Sequence, residues 1–138
     1  MGGHGALTIY LRESSFRSAS AFAPICHPTL APWGKKAFEG YFADAKKGEE
    51  HDATLLLSKL KLDKKEREVN ILIDCGTADQ FYEQKQLLPE AFERTAREAG
   101  YEEKQVQVRL QEGYDHSYYF ISTFAPEHVH WHAKFLKA

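Results

Sequence analysis

The sequence has 138 residues, enough for one domain or part of one with a moderate core. Its 18 Lys and Arg stand against 20 Asp and Glu, a net charge of -2 with the charges spread along the chain, so neither nucleic acid nor an anionic membrane is expected as a partner. No run of about 18 apolar residues occurs, and Met1-Gly2-Gly3-His4-Gly5 has neither the basic nor the apolar segment of a signal peptide, so a soluble, cytoplasmic protein is expected.

In chain order, the pattern predicts a helix over Gly5 to Arg12, then a strand over Ser18 to Ile25. A short helix near Lys35 to Tyr41 and another over Asp52 to Leu60 follow, with a polar, solvated connection over Lys61 to Glu68. Glu68 to Asp74 reads as a strand whose nearly continuous Val69, Ile71, Leu72 and Ile73 suit burial on both faces of a parallel sheet. A helix over Leu87 to Ala99 ends at Gly100, a residue that takes a left-handed cap at little cost. Val106 to Leu110 is the third strand, and Ser117 to Leu136 the last helix. Helices alternating with buried strands imply an α/β fold, a parallel sheet covered on both faces. Such sheets start with a strand feeding a glycine-containing turn, so the Gly2-Gly3-His4-Gly5 turn leads us to expect a strand upstream of it.

Met1-Gly2-Gly3-His4-Gly5-Ala6-Leu7 resembles the segment after the nucleophile in a Gly-x-Ser-x-Gly elbow, with Met1 and Gly2 as the last two positions. Three further blocks resemble the S-formylglutathione hydrolase family, also called esterase D: Ser20 to Cys26, Pro32 to Phe38, and Leu110 to Phe120. The likeness thins at Asp44 to Glu50 and Leu60 to Glu68, which read as loops of this chain's own.

The resemblance implies that 1–138 is the C-terminal part of a single α/β-hydrolase domain, with about three parallel strands and flanking helices. It implies a serine thioesterase that hydrolyses S-formylglutathione in formaldehyde detoxification, with no cofactor and no metal. The serine would be the residue immediately before Met1, so the chain alone is expected to be inactive. The backbone nitrogen of Met1 would be one oxyanion donor. His116 opens the last helix after a strand and a Gly-Tyr-Asp turn, where a hydrolase presents its general base.

For the acid, Ile71 to Phe81 offers Asp74 and Asp79, which spacing alone does not separate. The family pattern Gly-x-x-Asp-x-Phe selects Asp79, leaving Asp74 at the strand edge to cap or brace the turn. The loop carrying Trp33 would border the acyl and glutathione site, although a core tryptophan in a turn explains Trp33 equally well.

Other candidates carry less. His128 and His132 share a helix face at i, i+4 and His130 points away, with no glutamate between them, so an exposed or half-buried face is expected rather than a metal site. His4 and His27 are assigned no role, Asp115 reads as a turn former, and Cys26 and Cys75 read as reduced thiols. The strand over Ser18 to Ile25 is expected to leave an edge open to pairing with another chain, as in a homodimer. The alternative to an enzyme is a non-catalytic fragment that binds, or complements, a separate half.

Overall fold

The computed structural model describes residues 1–62 and 67–137, so half of the connection expected over Lys61 to Glu68 lies outside the described residues. The chain runs α1 (Gly2–Arg12), β1 (Ala19–Phe22), α2 (Pro32–Tyr41), α3 (Ala45–Glu49) and α4 (Ala53–Leu62). It continues through β2 (Ile71–Gly76), α5 (Gln80–Glu83), α6 (Pro89–Glu98), β3 (Val106–Gln111) and α7 (Tyr118–Leu136). The three strands form one parallel sheet in the order β1-β2-β3. β2 lies in the middle, and all six of its residues are buried, as its apolar run predicts.

Local chemistry explains where the helices start. Pro32 and Pro89 occupy the first turns of α2 and α6, where a missing N–H costs nothing. Asp52 caps α4 by accepting from the N–H groups of Thr54 and Leu55, and Ser117 caps α7 by accepting from Phe120. The end of α6 is a Schellman motif. Gly100 stands at φ +84°, its N–H donates to Arg97 O, and that of Tyr101 donates to Ala96 O.

Besides the short α5, which the sequence reading did not expect, the structure differs from that reading in three places. The helix expected from Gly5 begins at Gly2, and the block around Trp33, expected as a loop, is the first turn of α2. Part of the loop expected over Asp44 to Glu50 is α3, whose first turn is capped by the Asp44 carboxylate.

Alternation along β1 separates the two faces of the sheet. Ala19 and Ala21 join the main apolar core with Leu7, Ile71, Ile73 and Phe92. Helices α1, α4 and α6 pack in a row there, against β1 and β3. Ser18, Ser20 and Phe22 meet α7 from the opposite face, where His132 lies between the two hydroxyls and His128 stacks on the Phe22 ring. Among the described residues β1 is an edge strand, as the pattern predicts.

Candidate active site

β2 and β3 run in register to Gly76 and Gln111, and their hydrogen bonding continues into the loops beyond. The N–H of Thr77 donates to Gln111 O and that of Ala78 to Tyr114 O, both at 3.0 Å, while Thr77 Oγ1 accepts from the N–H of Gly113 at 2.9 Å. The two chains approach so closely at Gly76 that a Cβ there would lie 2.0 Å from Tyr114 O, so only glycine fits.

This contact brings Asp79 and His116 together. Asp79 is fully buried at the N-terminus of α5; its Oδ1 accepts from the N–H groups of Phe81 (2.7 Å) and Tyr82 (3.4 Å). Its Oδ2 accepts from His116 Nδ1–H at 2.6 Å, and the His116 side chain is 44% exposed. A carboxylate only accepts, so the contact places the imidazole proton on Nδ1. Nε2 has no hydrogen-bond partner among the described residues.

Phe81 meets the imidazole edge-on with centroids 4.8 Å apart, and Trp33 lies 5.0 Å beyond Phe81. Beside His116 is a recess of about 320 Å³ lined by Phe22, Ala23, Ser117, Tyr118, Phe120 and Ile121. A neutral imidazole with one free nitrogen can take a proton from a reactant and return it. The buried carboxylate then stabilises the imidazolium.

Trp33 is half exposed, so it is not a core tryptophan, and its backbone N–H donates to Gln86 Oε1. Met1 is the exposed N-cap of α1; among the described residues no hydrogen bond joins it to Asp79 or His116.

Two expectations require correction. Asp74 neither sits at the strand edge nor braces the turn; it lies inside β2, fully buried, and binds side chains. Arg109 grips it through Nε (2.7 Å) and Nη2 (2.5 Å), with Gln111 Nε2 at 3.1 Å and His128 Nε2 at 2.8 Å. Burial alone would raise its carboxyl, but the hydrogen bonds from His128, Arg109 and Gln111 outweigh it and hold the group at about 2. His128, expected on an exposed or half-buried face, is buried against this cluster.

The remaining residues behave as structural groups. His130 is exposed, and the described residues contain no cluster of His, Cys, Asp and Glu able to hold a metal. His27 binds the buried Asp52 at 2.8 Å, and Thr29 binds the same oxygen through both its N–H and its hydroxyl. Cys75 lies buried inside β2, and burial pushes its thiol well above the usual range, which removes it as a nucleophile. No helix among the described residues is long and apolar enough to cross a membrane.

Sequence reasoning did not assign Thr77, Phe81, Arg109 or Gln86 a place at or near the site. Phe81 stood in the quoted motif as a fixed position with no role assigned, and its ring contact depends on the fold.

The parallel strands, their flanking helices and the strand-end loops define an α/β-hydrolase fold. A family described as Putative esterase matches residues 1–137, and the chain belongs to this esterase family. It is 50% identical over 142 residues to the S-formylglutathione hydrolase of Rattus norvegicus, covering all of this chain and 47% of that protein. The S-formylglutathione hydrolase of Arabidopsis thaliana is 49% identical, with 99% of this chain and 46% of that one covered. The solved S-formylglutathione hydrolase of Agrobacterium tumefaciens superposes with a TM-score of 0.84 at 43% identity, over 98% of this chain and 46% of that one. The chain therefore spans about half the length of the curated relatives it matches.

Proposed function

We propose that these residues form the acid–base half of a serine thioester hydrolase acting on S-formylglutathione. The observation that carries the reading is the 2.6 Å bond from His116 Nδ1 to the buried Asp79, on an imidazole whose other nitrogen is free. The 138 residues contain no Gly-x-Ser-x-Gly sequence, and the chain spans about half the length of its relatives, so in this reading the serine belongs to the part of the enzyme that the chain does not span.

In this mechanism the serine Oγ attacks the thioester carbonyl carbon while its proton passes to His116 Nε2. The tetrahedral oxyanion is held by backbone N–H groups, that of Met1 at the start of α1 among them. Its collapse breaks the C–S bond, and the glutathione thiolate takes the proton from His116. Water then repeats the sequence on the formyl-serine ester, releasing formate and the serine. Asp79 holds the ring in the productive tautomer throughout, and Trp33 with Phe81 forms an aromatic rim on the substrate side. The reaction belongs to glutathione-dependent formaldehyde removal, a cytoplasmic process.

In the full-length protein, His116→Ala is expected to lower turnover of S-formylglutathione, and of a chromogenic short-chain ester, by about 10⁴-fold. Turnover at the unsubstituted rate in that variant overturns the proposal.

A further inference from the structure

The Asp79–His116 pair is assembled from two loops, and the covalent chain alone does not fix their separation. Beyond the last ladder pair, Gly76 with Gln111, three hydrogen bonds besides that of Asp79 with His116 itself tie one loop to the other among the described residues. Two are backbone bonds, from Thr77 N–H to Gln111 O and from Ala78 N–H to Tyr114 O. The third uses a side chain: Thr77 Oγ1 accepts the N–H of Gly113 at 2.9 Å.

Gly113 stands at φ +75° in the turn between β3 and His116, where no backbone carbonyl of the described residues receives its N–H. Thr77 is two residues before the acid, and Gly113 is three before the base. The hydroxyl is thus the side-chain latch nearest to both members of the pair.

We infer that Thr77 is a positioning residue: its hydroxyl fixes the turn at Gly113 and, through it, the alignment of the His116 imidazole on Asp79. The inference rests on the functional reading above and deepens it, because the latch acts through Gly113 and not on the Asp79 or His116 side chain itself. A purely structural role makes a different prediction. The bond is solvent-exposed, so water replaces the acceptor when it is lost and global stability changes little. Alignment has no such substitute, since a displacement of about 1 Å at a reacting group costs up to 10²-fold in rate.

The test compares Thr77→Val, which keeps the shape and removes the acceptor, with Thr77→Ser, which keeps the hydroxyl, both in the full-length protein. The first readout is the downfield proton resonance of His116 Nδ1–H, which reports the bond to Asp79 directly and needs no turnover. Thr77→Val is expected to broaden it through faster exchange with solvent, with kcat about 10-fold lower, KM unchanged and the melting temperature nearly so. Thr77→Ser restores both the resonance and kcat.

A Thr77→Val protein whose resonance and kcat match the wild type overturns the inference, as does a Thr77→Ser protein that behaves like Thr77→Val. Failure of the functional reading shows itself separately. If His116→Ala keeps its turnover while Thr77→Val still disturbs the resonance, the pair is positioned as inferred but does not perform the hydrolysis.

Discussion

Asp79 with His116 and Asp74 with His128 are the same two side chains at nearly the same distance, 2.6 and 2.8 Å, with the acids five residues apart on one stretch of chain. What separates them is everything else each group touches. Asp74 is already neutralised by Arg109 and shared with Gln111, and its histidine is sealed between the sheet and α7 with Nδ1 buried and unpartnered. Among the described residues Asp79 meets backbone N–H groups and no Lys or Arg, and its histidine is exposed with one nitrogen to spare. A third pair, Asp52 with His27, is saturated by Thr29 and by the start of α4, and it clamps two segments together. An aspartate–histidine contact therefore signifies a proton relay only where the ring keeps an open nitrogen and the carboxylate has no competing cation.

Substitution at each acid breaks or sharpens this contrast. Asp79→Asn in the full-length protein is expected to lower kcat by about 10⁴-fold, because the amide no longer holds the productive tautomer, while the fold survives. Asp74→Asn is expected to leave turnover within a few-fold and to cost about 3 kcal/mol in urea unfolding, since Arg109 and His128 lose a buried charge partner. Interchanged results would assign the relay to Asp74.

The smallest effect is a pH dependence. Asp74 titrates at about 2 in the folded chain, below the unfolded value of about 3.9, so its contribution is complete above the unfolded value and is lost as pH falls through the folded one. That contribution is roughly 2 to 3 kcal/mol. Acid unfolding followed by circular dichroism should show the loss in the wild type and a shallower acid limb in Asp74→Asn.

The sheet was legible because β2 carries a run of Ile71, Leu72 and Ile73, and the parallel order follows from helices placed between strands. The two short helices were not legible. α3 contains Gly48 within five residues, and α5 spans four residues that exist as a helix only because Asp79 caps them. The choice of Asp79 over Asp74 came from likeness to a family, since spacing allows either.

Arg109 and His128 were out of reach for a different reason. Phe22, Asp74 and Arg109 lie in one row across the three strands, and that row is visible only once the register is known. His128 is drawn in by that buried charge, which a helical periodicity in α7 cannot express.

The space at Gly76 has a consequence for how such sites change over time. With Tyr114 O where any methyl would sit, the acid and base segments are interlocked by shape before chemistry is considered. A scaffold that borrows one segment inherits a collision unless it borrows the other as well. The two travel as a single cassette in any transplantation, and natural variation at one end is answerable to a backbone atom 38 residues away.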